Sequence, residues 1–188
     1  MKIIKKSILL SLLLILFLAG CIPSVHPLYT QKDLIFDTQV IGTWEDQEGN
    51  LWKFSQKKTQ RGENKKSYLL TRYENDKAKF LDVHLLKLGG KFYFDFYPEE
   101  VPLDVQLFPV HTFARFSKKG KNTIQIEQFD ADYIGELITK KKVKIKHEQT
   151  EDNILLTANT EELQKFVIKY SKDKKLFEGN VINLKRKR

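Results

Sequence analysis

Between residues 77 and 98 apolar and polar side chains alternate on both sides of a Gly-Gly dipeptide, in "KAKFLDVHLLKLGGKFYFDFYP". A period of two is what a half-buried strand requires, and two such runs joined by Gly-Gly predict a tight hairpin. The turn fixes the register: Leu88 faces Lys91, Leu86 faces Tyr93, His84 faces Asp95 and Asp82 faces Tyr97. One face of the hairpin is then a continuous apolar surface of Leu81, Val83, Leu85, Phe92, Phe94 and Phe96. The other is polar and aromatic.

The same alternation recurs along the chain. "IGTWED" and "LWKFSQ" flank Gly49, "SYLLTRY" spans Ser67 to Tyr73, and "VHTFARFS" and "NTIQIEQF" flank "KKGKN". "VKIKHE", "DNILLTA" and the terminal "NVINLKRKR" add shorter strand signals, while three prolines (Pro98, Pro102 and Pro109) mark a long crossing loop. A helical period appears twice. In "DADYIGELITKK", Asp130 suits an N-cap and Ala131, Ile134, Leu137 and Ile138 share one side. In "TEELQKFVIKYSKD", Leu163, Phe166, Val167 and Tyr170 follow the i, i+3, i+4, i+7 rule, with Thr160 placed as N-cap. About eight to nine strands in hairpins and two helices in the C-terminal half predict a mainly β (α+β) fold. Its architecture is a curved antiparallel sheet or small barrel closed on one side by the helices.

The N-terminus follows a different pattern. Lys2, Lys5 and Lys6 precede an apolar run from Ile8 to Leu18, in which Ser11 is the one polar residue, followed by Ala19, Gly20 and Cys21. A charged start, a short apolar stretch and small residues make a secretory signal. The run is shorter than the roughly 20 residues a membrane span needs. Leu18-Ala19-Gly20-Cys21 resembles the lipobox of bacterial lipoproteins. That resemblance implies cleavage before Cys21, diacylglycerol on its thiol and an acyl chain on the new amino terminus. It also implies a place in the cell envelope. Ile22 stands where an Asp would signal retention in the inner membrane, which favours the outer membrane in a Gram-negative cell. The chain then divides into a signal peptide over residues 1–20, a lipidated tether over 21–37 and one globular domain over 38–188. Leu28, Tyr29, Leu34, Ile35 and Phe36 place the second half of the tether against the body.

Composition narrows the picture. The 188 residues carry 33 Lys and Arg against 24 Asp and Glu, a net charge of +9. Loss of residues 1–20 removes three lysines and leaves 168 residues at +6. An exported chain meets little nucleic acid, so the basic balance points to anionic headgroups instead, through "KRKR" at the end and "KKKVKIKH" over Lys140 to His147. Cys21 is the single cysteine, so no disulfide braces the fold. Thirteen Phe, seven Tyr and two Trp supply the core instead.

Two further resemblances concern the mature chain. Gly42-Thr43-Trp44 is similar to the Gly-x-Trp opening of lipocalins, which implies an eight-stranded barrel whose Trp closes its base around an apolar ligand. The Pro-rich loop and the late helices depart from that family. The pieces "HPLYT", "GTWED", "LGGKFYFDFYP", "PVHTF" and "LTANTEELQKF" resemble a group of small bacterial lipoproteins to which no activity is attached.

Candidate chemistry is sparse. The hairpin register sets His84 opposite Asp95, with Asp82, Tyr93 and Tyr97 on the same face, an arrangement that serves either as a general-base pair or as an ordinary cross-strand pair. His111 follows the crossing loop at a strand start, where a pocket rim can lie. No serine sits in a nucleophile elbow, and His26, His84, His111 and His147 lack metal-ligand spacing. The sequence therefore leads to a non-enzymatic, lipid-anchored domain that binds an envelope component or supports envelope structure, without metal or cofactor. Its alternatives are a lipocalin-like carrier of a small apolar ligand and, behind it, a hydrolase using His84 and Asp95. Ligand, leaflet and oligomeric state are not legible.

Overall fold

The computed structural model describes residues 22–58, 62, 64–74, 77–99, 108–150, 153–177 and 180–187. The expected signal peptide, Cys21 and Pro102 of the crossing loop lie outside the described residues.

The chain enters through two short strands, β1 (Pro23–Ser24) and β2 (Leu34–Ile35). A meander of seven antiparallel strands follows: β3 (Gly42–Glu45), β4 (Leu51–Lys58), β5 (Asn64–Glu74), β6 (Lys77–Leu88), β7 (Lys91–Pro98), β8 (His111–Lys118) and β9 (Thr123–Gln128). Helix α1 (Ala131–Thr139), the hairpin strands β10 (His147–Gln149) and β11 (Ile154–Leu156) and helix α2 (Thr160–Tyr170) are inserted next. β12 (Asn180–Arg186) pairs with both β9 and β3, so strands β3 to β9 and β12 close into an eight-stranded antiparallel barrel of lipocalin-like form. Closure removes the free edges that an open sheet would expose. The expected mainly β fold is present, and Asn180–Arg186 of the terminal run is the strand that completes it.

The hairpin register is as the Gly-Gly turn requires, from Leu88 against Lys91 to Asp82 against Tyr97. Gly89 and Gly90 have φ of 53° and 77°, the left-handed pair that two-residue hairpins favour. The apolar face of this hairpin points into the barrel. Val83, Leu85 and Phe94 join Trp44, Phe54, Tyr68 and Phe116 there, with Phe94 4.6 Å from Phe116 and 5.9 Å from Phe54 between ring centroids.

The outer face of the same wall is buried as well. Leu86, Leu88, Tyr93 and Phe113 form a second core with Ile22 and Leu28, the helix residues Ile134, Leu137, Leu163 and Val167, and Phe177. Arg115 ties the inserted segment down, donating to both oxygens of Glu127 at 2.8 and 2.6 Å while its guanidinium lies 3.8 Å from the Phe177 ring centre. The helices thus cover one side of the barrel, as expected, but one detail differs. The cap of α2 is Asn159, which forms a capping box with Glu162, and not Thr160. Thr160 Oγ1 donates to the carbonyl of Pro27 instead.

Residues 22–37 pack on the body along their second half, as expected, and along their first half as well. Ile22, Ser24, Leu28 and Leu34 are buried, β1 lies between β8 and β11, and β2 pairs with β6. The segment is a strap that enters the outer core at Ile22 and Leu28 and packs Ile35 and Phe36 against the barrel core. Its apolar positions show no period because it crosses the sheet irregularly and inserts single side chains.

Gly42 and Trp44 close one end of the barrel. Trp44 Nε1 donates to the Val40 carbonyl at 2.9 Å, and the Arg186 guanidinium stacks 4.1 Å from the Trp44 ring centre while donating to the carbonyls of Ile41 and Gln39. A Cβ on residue 42 would lie 2.4 Å from Arg186 Nη1, and its φ of 138° also favours glycine.

Candidate functional site

Strand β7 alternates across a wall buried on both sides, so its one acidic residue is carried into the outer core. Asp95 is 0% exposed. Both of its oxygens are engaged: Oδ2 accepts from the backbone N–H of Leu28 at 2.7 Å, and Oδ1 lies 2.7 Å from His111 Nδ1. His111 is the first residue of β8, and Tyr97 sits against it with ring centroids 4.5 Å apart. Burial pushes the Asp95 carboxyl above its ordinary range, against the opposing pull of His111 and the Leu28 amide. A buried carboxylate of this kind is costly to leave unpaired, and here its partners are a histidine ring and the strap itself.

His84, on the neighbouring position of β6, does not bond to Asp95. Its ring stacks on Tyr29 of the strap at 4.1 Å and 22°. His84 Nδ1 lies 3.9 Å from Asp82 Oδ1, beyond hydrogen-bonding distance, and both atoms are buried without a protein partner among the described residues. The other oxygen of Asp82 accepts from Lys57 Nζ at 2.7 Å, and Lys57 also pairs with Glu99. Burial, reinforced by the positive charges of Lys57 and His111, lowers the His84 pKa despite the Asp82 carboxylate. Tyr29 is pushed up to about 12 by burial and by the charges of Asp95 and Asp82.

Of the six residues singled out in the sequence, Asp95, His111 and Tyr97 therefore form one group and His84 and Asp82 an adjoining one. Tyr93 belongs to neither. It is buried in the apolar outer core 6.5 Å from the Phe129 ring, its hydroxyl has no partner among the described residues, and burial pushes its pKa up to about 12. Sequence reasoning missed Tyr29, Lys57 and the Leu28 amide. Lys57 belongs to a strand with many lysines, and the strap residues follow no period, so only the aromatic Tyr29 in "HPLYT" gave any signal.

No family model, curated protein or solved structure matches this chain. The lipocalin-like form accordingly stands on strand order and barrel closure alone, and the site is read on its own chemistry. That chemistry is of retention. Asp95 carries one partner on each oxygen and has no open face to solvent, and its bonds join strands β7 and β8 to the strap. An open pocket of about 340 Å³ lies elsewhere, at the start of α1, lined by Asp130, Asp132, Tyr133, Glu136 and Lys175. There Asp130 caps the helix through Tyr133 N at 2.8 Å, and the Tyr133 hydroxyl donates to Asp173 at 2.8 Å.

Proposed function

We propose that this protein is a bacterial lipoprotein whose barrel domain is held in the cell envelope by lipid on Cys21 and acts there by binding or by structural support, not by catalysis. The observation that carries the reading is the Leu18-Ala19-Gly20-Cys21 sequence after a charged and apolar leader. Its support in the fold is the strap: Ile22, one peptide bond beyond the acceptor cysteine, is 1% exposed in the outer core. Such a domain would sit directly on the bilayer. Each buried methylene contributes about 0.8 kcal/mol, so two or three acyl chains would hold it there essentially permanently.

The interior bears on the carrier alternative. Phe54, Phe94, Phe116 and Tyr68 occupy the barrel centre at ring spacings of 4.6 to 6.4 Å, which favours a packed core over a ligand chamber. Recognition then belongs to the outside of the molecule. The hydrolase alternative is weakened because His84 and Asp95 do not bond and Asp95 is committed to Leu28 and His111.

Fractionation tests the reading. The wild-type chain should sediment with membranes and stay there through high salt, whereas Cys21→Ala should appear as a soluble or uncleaved chain. Wild-type protein in the soluble fraction would contradict it.

A further inference from the structure

Lys140, Lys141, Lys142, Lys144 and Lys146 fall within seven residues after α1, and all five are exposed. The two apolar residues between them, Val143 and Ile145, turn inward and are each 8% exposed. The backbone beneath the lysines is fixed. Lys141 and Lys142 donate to the carbonyls of Ile138 and Leu137, both at 2.9 Å, and the Lys146 carbonyl accepts from Thr157 and Ala158 at 3.0 and 3.1 Å. The strip is a set array of cations, not a loose charged run.

Three of these lysines are unspent. Lys140 pairs with Glu136 and Lys146 with Glu162 at 3.4 Å, while Lys141, Lys142 and Lys144 make no side-chain ion pair among the described residues. The C-terminal basic run differs, since Arg186 is committed to Trp44 and Lys187 reaches Glu45 at 3.5 Å. Lys141 moreover has a φ of 54°, at the left-handed position after the helix where glycine is the unstrained choice. A charged side chain is kept there at a cost in backbone energy. The exposed acid nearest in sequence is Glu148, on β10.

The strip also lies on the side of the molecule from which the chain start emerges. It leads into β10, and the register runs His147 to Leu156 of β11 and on to Ser24 of β1. Neighbouring strands are about 4.8 Å apart, so β10 lies only about 10 Å from β1. Ser24 is three residues after the lipid acceptor. A lipid at residue 21 would bring this side to the headgroup layer, within the roughly 10 Å over which exposed charges act at physiological salt.

We propose that the Lys140–Lys146 strip docks on anionic phospholipid headgroups of the membrane that holds the anchor and so sets the orientation of the barrel. This rests on the lipidation of Cys21 proposed above. The test is made on the mature chain 21–188 with Cys21→Ser, which carries no lipid. It is titrated with vesicles of phosphatidylcholine alone, with vesicles mixed with phosphatidylglycerol, and with soluble polyglutamate. Binding is expected to the mixed vesicles only, to weaken with salt, and to fall about a hundredfold when Lys141, Lys142 and Lys144 are all changed to Gln. The paired change Lys185→Gln with Lys187→Gln should leave it far less affected. An unchanged melting temperature shows that the triple variant is folded. Equal binding of the triple variant, no preference for anionic vesicles, or tighter binding to polyglutamate would each overturn the proposal. Because the titrated chain is unlipidated, this result is independent of the fractionation that tests the anchor.

Discussion

Asp95 shows how a single residue decides whether the strap stays down. Removing its carboxylate strands the Leu28 N–H and the His111 ring in a buried place. Asp95→Ala should cost about 2–4 kcal/mol, whereas Asp95→Asn keeps an acceptor for Leu28 and should cost clearly less. Urea midpoints measure both, and equal losses would contradict a clasp built on those bonds. His84 gives a pH signature. Its pKa in the folded protein is depressed below 6.5, so as pH falls past 6.5 the unfolded chain takes up a proton first and stability declines. His84→Phe retains a ring to stack on Tyr29 but cannot be protonated. It should flatten the stability profile below about pH 6.5, and an unchanged slope would refute the assignment. The turn glycines made the neighbouring positions of His84 and Asp95 legible, because register follows from the turn. The bonds were not legible: Asp95 reaches an amide 67 residues away in a segment without a period.

At the level of elements, the strands with clean alternation and both helices were readable from the period of their apolar positions, and Asp130 acts as the cap its place implied. Closure was not readable. It depends on β12 meeting β3, with Arg186 beside Trp44, across most of the chain length, and no local pattern specifies such a pairing. Gly42 is where that junction is most sensitive. Gly42→Ala places a methyl group against the Arg186 guanidinium on a backbone that disfavours it, and a loss of about 2 kcal/mol is expected in chemical denaturation. A neutral substitution would mean that the Trp44–Arg186 stack does not close the barrel end.

The whole molecule is a barrel with two apolar cores, one inside and one between the wall of β6, β7 and β8 and the strap with its helices. The strap begins at Ile22, so under the proposed lipidation anchoring and folding would meet within a few residues of Cys21. The composition allowed such a fold by supplying enough aromatic residues for two cores. The packing of Leu28, Leu34, Ile35 and Phe36 on the body was legible from their apolar character, whereas β1 was not, because proline and a missing period look alike in a free linker and in a strap pinned by scattered contacts. The central claim is the lipid on Cys21, and intact mass of the protein purified from membranes tests it most directly. The account predicts the mass of residues 21–188 plus diacylglycerol and one acyl chain, abolished in Cys21→Ala. An unmodified chain, or one cut at another residue, would contradict it.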